Sequence, residues 1–267
     1  MKIAVCLKQI LDPDVPAREF QIDENSMQAR RGAANLVTNI FCENALETAL
    51  QFREKSGAGE ITALSFGAET AEDSLRKALA MTADGACLIA NEKFAHPDAF
   101  AVAQVLAAAI KKLGAFDLIL VGRESGDWGA GQVGGLLAEE LGLPFVAFVD
   151  SIEKNANGVK LKRQTANGYE IVEAQTPVVL SITNDDKNVP RVPKTRDVMM
   201  SYRKPLTKLS LPDLGLNAEE IGGNSHYEVV ELSIPQKDGS CRMANGETLE
   251  EKVADFARQI VAVTGAM

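Results

Sequence analysis

The residues that most often carry catalysis are scarce in this chain. Its two histidines, His96 and His226, stand alone in loop-like surroundings, so neither is placed as a catalytic base. Cys6, Cys42, Cys87 and Cys241 are far apart, form no Cys-x-x-Cys pair and have no histidine at metal-ligand spacing, so a reduced, metal-free interior is expected. Positive charge is also short. Lys plus Arg is 28 against 37 Asp plus Glu, and a net charge of -9 excludes a sequence-independent grip on nucleic acid. No apolar run approaches the roughly 18 to 20 residues that a membrane span needs. The opening run Met1-Lys2-Ile3-Ala4-Val5-Cys6-Leu7-Lys8 becomes charged again too soon for a signal peptide. A cytoplasmic setting is expected, or a mitochondrial matrix one in a eukaryote, with no membrane insertion.

What is present is a regular alternation of elements, and 267 residues suffice for one substantial core with an extension. Ile3-Ala4-Val5-Cys6-Leu7, Ile61-Thr62-Ala63-Leu64-Ser65-Phe66, Ala86-Cys87-Leu88-Ile89-Ala90, Leu118-Ile119-Leu120-Val121 and Phe145-Val146-Ala147-Phe148 are near-continuously apolar, as strands covered on both faces must be. Helical patterns fill residues 42–56, 70–82, 97–113 and 131–141 between them. Thr70 with Asp73 reads as a capping signal for the second, and Gly114 and Gly142 read as left-handed stops for the third and fourth. This order predicts an α/β fold, a doubly wound parallel sheet. Residues 150–182 alternate with period two around Asn155-Ala156-Asn157-Gly158 and Asn167-Gly168, which predicts an antiparallel hairpin extension. Two units are therefore expected: 1–182, a nucleotide-binding α/β domain with the hairpins, and 183–267, a partner-binding arm. From 183 to about 245 no period persists, and a closing amphipathic helix over 247–263 carries Leu249, Val253, Phe256, Ile260 and Val263 on one face.

The densest glycine run follows the fourth strand. Gly126, Gly129, Gly131, Gly134 and Gly135 lie between Val121 and the next helix, at the carboxyl edge of the sheet, where open α/β folds bind ligands. Glycines let backbone approach a phosphate closely, and amides at a helix start turn partial positive charge toward it. The run has neither the Lys-Ser/Thr ending of a Walker loop nor a Gly-x-Gly-x-x-Gly fingerprint, so triphosphate hydrolysis and nicotinamide binding are not indicated. Its alternative is a turn that only packs a helix on the sheet. Gln132 is the side chain placed nearest a phosphate. Asn39 precedes the first helix and reads either as a simple N-cap or as a direct nucleotide contact, while Cys42 reads as a packing residue.

Several segments together resemble one family. Val5-Cys6-Leu7-Lys8-Gln9-Ile10-Leu11-Asp12 resembles the first strand and loop of electron-transfer flavoprotein beta subunits, and Asn39-Ile40-Phe41-Cys42-Glu43 resembles their first helix start. Residues 122–134 are similar to the family's Gly-Arg/Lys-Gln-x-x-Asp-x-Asp-x-x-Gln-x-Gly loop, and Pro190-Arg191-Val192-Pro193 through Val198-Met199 to its dehydrogenase-recognition loop. The resemblance implies an adenine nucleotide alpha hydrolase-like fold that holds AMP at Cys6, Asn39, Ile40, Phe41, Cys42 and Phe66. The same site takes in Gly122, Arg123, Glu124, Ser125, Gly126, Asp127, Trp128, Gly129, Ala130, Gly131, Gln132 and Val133. Bifurcating relatives hold a second FAD in that site in place of AMP.

The resemblance also implies a heterodimer, with the redox FAD on an alpha subunit that residues 183–267 wrap. Flavin dehydrogenases, of acyl-CoA type or related, would dock through the 190–204 loop at Arg191, Lys194, Thr195, Arg196, Val198, Met199 and Met200, with Arg203 and Lys204 adding positive charge. The electrons would go on to a quinone-linked or other acceptor, with no bond-breaking catalysis here. Gly129-Ala130 stands where bifurcating relatives tend to show Asp-Thr, and Phe41-Cys42 where they show polar pairs; both favour AMP. Thr195 and Pro13 replace a family Leu and a family aromatic. Two readings from other classes stand beside this one. A nucleotide-hydrolysing or adenylylating enzyme would need more than Arg123 and Asp127 in the loop, and an AMP-sensing stress-type module would have no use for the long arm.

Overall fold

A computed structural model of the chain describes residues 1–16, 19–23, 27–32, 34–57, 59–90, 98–223, 226–227, 229–234, 239 and 241–265. His96 and Pro97, the expected start of the third helix, lie outside the described residues.

Strand β1 (Lys2–Leu7) shows how this sequence makes a two-faced sheet. Ile3, Val5 and Leu7 point into one apolar cluster and Ala4 and Cys6 into a second, because successive side chains of a strand leave on opposite faces. Three short strands follow, β2 (Gln9–Leu11), β3 (Gln21–Asp23) and β4 (Gln28–Arg30), and then β5 (Leu36–Thr38). They pair antiparallel as β2 with β5 and β3 with β4, an excursion between β1 and the first helix. Helix α1 (Ile40–Ser56) ends at Gly57, which takes the left-handed conformation at φ 71°.

Next come β6 (Glu60–Gly67), α2 (Glu72–Ala80), β7 (Gly85–Ala90), α3 (Ala99–Leu113), β8 (Leu118–Gly122) and α4 (Val133–Leu141). The expected Thr70 cap is not formed. Residues Glu69–Ala71 make a 3-10 turn, and α2 instead begins after Ala71 with Glu72 and Asp73 set against its positive end. Gly142 is left-handed as expected, whereas Gly114 at φ 120°, ψ -165° is extended beyond that region. Helix α3 carries a true cap, in which Asp98 accepts from the Ala101 amide at 2.7 Å.

Strands β6, β1 and β8 are parallel neighbours, with β7 outside β6. Helices α1 and α2 cover the face of Ile3 and Val5, and α3 and α4 the face of Ala4 and Cys6, so the sheet is doubly wound. The chain first moves outward from β1 to β6 and β7, then returns to place β8 on the other side. The crevice at the carboxyl ends of β1 and β8 is therefore the topological switch point.

Beyond α4 lie β9 (Phe145–Asn155), β10 (Gly158–Thr165), β11 (Gly168–Ala174) and β12 (Val178–Ile182). Two expectations are corrected here. The runs at 145–148 and 150–153 are one strand, kinked at Phe148, whose φ is +59°. Residues 178–182 are no hairpin arm, because β12 inserts between β8 and β9 and is parallel to both. Its five residues are all buried, the signature of an interior strand. The order across the sheet is β11-β10-β9-β12-β8-β1-β6-β7-β13, where β13 (Thr207–Leu209) pairs parallel with β7.

That last strand, with α5 (Thr195–Ser201) and α6 (Ala218–Gly223), folds residues expected in the arm onto the domain. Met1–Val230 forms one compact unit and Glu231–Met267 a second, so the division falls at 230 and not at 182. The second unit holds α7 (Leu249–Thr264), which begins with a reciprocal capping box between Thr248 and Glu251.

Candidate functional site

The carboxyl edge of β8 cannot carry a side chain at its last residue. A Cβ on Gly122 would lie 2.9 Å from the Cys42 amide nitrogen and 2.9 Å from the Phe41 carbonyl carbon, so glycine lets the first turn of α1 close over the strand end. From there residues 123–132 form the loop into α4, and three groups of contacts hold it.

At its root, the Arg123 amide donates to the Ile182 carbonyl at 2.9 Å. The Arg123 guanidinium donates to Thr183 Oγ1 at 3.1 Å, pairs with Glu124 at 2.7 Å and lies 4.5 Å from the centroid of the Phe41 ring. In the middle stands Asn39, 1% exposed. Its Nδ2 donates to the Glu124 carbonyl at 2.7 Å and its Oδ1 accepts from the Gly126 amide at 3.1 Å. Asn39 makes no side-chain cap bond to α1, so the simple N-cap reading is replaced by one in which it pins the loop. At the tip, Lys8 Nζ donates to Asp127 Oδ1 at 2.8 Å and to Ser125 Oγ at 3.3 Å. Burial opposes ionisation of Asp127, but the Lys8 charge and the hydrogen bonds from Lys8, Ser125 and the Trp128 amide hold its carboxyl below the usual range. Lys8 was not among the expected site residues; a lone lysine directly after an apolar strand, at the ligand-binding edge, is the signal that points to it.

The glycines divide into two kinds. Gly131 at φ +63° followed by Gln132 at φ -92° is the left-handed to right-handed succession that gathers successive amides into a concavity. Gly134 belongs instead to the packing alternative: a Cβ there would lie 2.9 Å from the Phe145 ring and 2.9 Å from Val121. Gly135 likewise faces Phe145. Both let α4 lie close on the sheet, and neither serves a phosphate approach. Gln132 is exposed at the start of α4 and gives that helix no side-chain cap, so the first-turn amides, which no helix can satisfy internally, keep their positive end toward the loop. Val133 packs partly buried on the α4 core, while Trp128, 43% exposed, Gly129 and Ala130 face outward.

The remaining expected residues sit along the same edge. Ile40 is half exposed at the first turn of α1. Cys6 pairs with Leu64 and Val121 in the sheet, and burial, then the neighbouring Cys42, pushes its thiol up to about 12. Cys42 is buried and raised for the same first reason, although its sulfur lies 3.3 Å from Asn39 Nδ2. Both thiols are therefore neutral packing groups. Phe66 ends β6, with β1 between it and the loop, and its ring packs on the α3 side.

The residues expected to meet a dehydrogenase separate into two sets. Arg191 is committed internally: its guanidinium bonds Glu47 at 2.8 and 2.9 Å and Glu54 at 2.6 Å, docking the segment along α1. Lys204 donates to the Leu79 and Ala83 carbonyls at 3.0 and 3.1 Å, closing the end of α2. Both side chains are thus bonded within the domain. Lys194, Thr195, Arg196, Val198, Met199, Met200 and Arg203 do face outward, and Met199 is 70% exposed on α5. His226 also has a structural role: it stacks on Phe100 at 4.0 Å and bonds Asp98.

The electron transfer flavoprotein domain pattern matches residues 29–214, which include Asn39, the glycine loop, the starts of α1 and α4, and α5. The chain belongs to the electron transfer flavoprotein family. It is 35% identical over 262 residues to the electron transfer flavoprotein subunit beta of Thermoanaerobacterium thermosaccharolyticum, covering 97% of this chain and 98% of the relative. It is 33% identical over 261 residues to the caffeyl-CoA reductase-Etf complex subunit CarD of Acetobacterium woodii, with 97% and 98% covered. A beta subunit from Megasphaera elsdenii is 33% identical over 263 residues, 96% of each chain. The chain thus has the role of an electron transfer flavoprotein beta subunit, and its relatives are subunits of flavin-containing complexes, which entails a partner subunit. Among the described residues no helix is long and apolar enough to cross a membrane.

Proposed function

We propose that this chain holds AMP as a structural ligand at the β1/β8 crevice and pairs with an FAD-bearing alpha subunit to relay electrons from flavin dehydrogenases, of acyl-CoA type or related, to a quinone-linked or other acceptor. The observation that carries the reading is the loop itself. Asn39 and Lys8 hold residues 124–127 in place, and beyond them a glycine-turned stretch leads into an uncapped helix start at the switch point. This arrangement suits one anionic phosphate. Asp127 and Glu124 are each offset by a cation, which lessens the repulsion these two carboxylates would exert on it.

When bound on the alpha subunit, the flavin supplies all the redox chemistry. The residues of this chain hold the nucleotide, keep the loop in register and present α5 to a donor; none is asked to break a bond. The exposed apolar side chains Val253, Phe256 and Ile260 of α7 supply a seat for the alpha subunit. A cytoplasmic location, or the matrix in a eukaryote, suits such a carrier.

The second reading, FAD in the place of AMP, draws on the likeness to a subunit of a caffeyl-CoA reductase complex. One experiment separates them: denature the co-expressed heterodimer, identify the released nucleotide by mass spectrometry, and count flavin per pair. AMP with one flavin is the expected result. Two flavins and no AMP would establish the second reading, and a single FAD with no further adenine nucleotide would remove both.

A further inference from the structure

Resting on the nucleotide reading above, we infer that Lys8 is a positioning residue for nucleotide binding: it latches the tip of the loop from the residue after β1, the strand paired with β8. The loop is rich in glycine. Its Gly129 amide donates to the Ser125 carbonyl at 2.9 Å, while Gly126, Gly129 and Gly131 enlarge the set of conformations it would otherwise sample. Asn39 fixes residues 124 and 126. Lys8, whose carbonyl accepts from the Asn39 amide at 2.8 Å, fixes Ser125 and Asp127, 117 and 119 residues away in sequence. Residues 124–127 are thus held by two neighbouring side chains at the switch point, and the turn that follows is launched in a fixed direction.

Two physical effects follow from the latch. A loop already ordered before the ligand arrives does not spend binding free energy on its own ordering. The Lys8 charge also offsets Asp127, which would otherwise present an unpaired carboxylate beside an incoming phosphate. Lys8 need not touch the nucleotide for either effect. The pair is partly open to solvent, with side chains 43% and 28% exposed, so the gain is moderate and lies in placement more than in net attraction.

The test uses the co-expressed heterodimer, following exchange of bound AMP against labelled AMP. Lys8→Met is expected to release AMP about tenfold faster, the scale of one lost charge-assisted hydrogen bond. Lys8→Arg keeps charge and donors and is expected to recover most of the retention, which a merely space-filling role would not produce. Flavin content and the thermal midpoint at saturating AMP control for folding in both variants. Wild-type exchange by Lys8→Met, or failure of Lys8→Arg to improve on it while both remain folded, would overturn the latch and leave the nucleotide reading intact. A wild-type heterodimer that carries no AMP and binds none would overturn that reading and the latch with it.

Discussion

Gly122 and Gly129 occupy the same loop for opposite reasons, and alanine tells them apart. At Gly122 a methyl group meets main-chain atoms of Phe41 and Cys42 at 2.9 Å, which cannot rotate away. Gly122→Ala is expected to cost about 1 to 3 kcal/mol in urea denaturation and to displace the start of α1, with bound AMP lost. At Gly129 nothing lies within 4 Å, but φ is +63°, so Gly129→Ala meets only backbone strain of about 1 kcal/mol and should keep most of its AMP. Equal losses from both would show that the crowding at Gly122 is not what shapes the site. Arg191 gives a second case at this scale. Glu47 is 4% exposed, and although burial opposes its ionisation, hydrogen bonds from Arg191 and Gln51 hold its carboxyl below the usual range. Arg191→Ala leaves that charge buried and unpaired, and at pH 7 should cost about 3 kcal/mol, the low end for such a pair because the guanidinium itself is partly exposed. The deficit should shrink as pH falls through the lowered folded value of Glu47, below which Glu47 is protonated in both proteins and the pair no longer contributes.

Among the elements, α1 joins the two halves of the function: its first turn closes on Gly122, and Glu47 and Glu54 further along carry Arg191 and the approach to α5. The parallel strands were legible because both their faces are covered, which writes them as unbroken apolar runs. Residues 178–182 carry the same signal, but following three alternating segments they read as one more hairpin arm; only the pairing across to β8 reveals the insertion. The strands at 9–11, 21–23, 28–30 and 207–209 have three residues each, too few to display any period. The glycine loop could be located from its composition, yet which glycine serves packing and which serves the turn depends on neighbours far away in sequence. The Lys8 contact is hidden for the same reason. Helix α7, expected over 247–263 and found at Leu249–Thr264, was legible because a five-residue apolar stripe is a local signal. Its stripe stays exposed in the second unit, with Val253 and Phe256 at 59% and 56%. Aspartate at both positions should leave the chain folded by circular dichroism and abolish co-purification with the alpha subunit; undiminished pairing would place the subunit contact elsewhere.

For the whole molecule, stability should fall on both sides of neutrality, for different groups. On the acid side, Glu47, Glu54, Asp98 and Asp127 have carboxyls held below their usual range by Arg191, by Arg191, by the Ala101 and His226 amides, and by Lys8 respectively, in all four against an opposing effect of burial that is strongest at Glu47, Asp98 and Asp127. A carboxyl whose value is lower folded than unfolded stabilises the native state above about pH 4, and that contribution is lost as pH drops through the folded value. On the alkaline side the sign reverses. Burial raises Cys87 to about 11 and Cys6 to about 12, and raises Cys42 as well. Above about pH 8.5 the unfolded thiols ionise while the folded ones cannot, so the unfolded state sheds protons first and gains. Urea midpoints taken from pH 3 to pH 10.5 should therefore form a dome with a plateau between roughly 5 and 8. Cys6→Ala, at a site where the sulfur lies between Leu64 and Val121 in the sheet, should lower the plateau through the lost packing and flatten the alkaline limb. Arg191→Ala should flatten the acid limb alone. An alkaline limb unchanged in Cys6→Ala would mean that lysine deprotonation, and not the buried thiols, sets the upper edge.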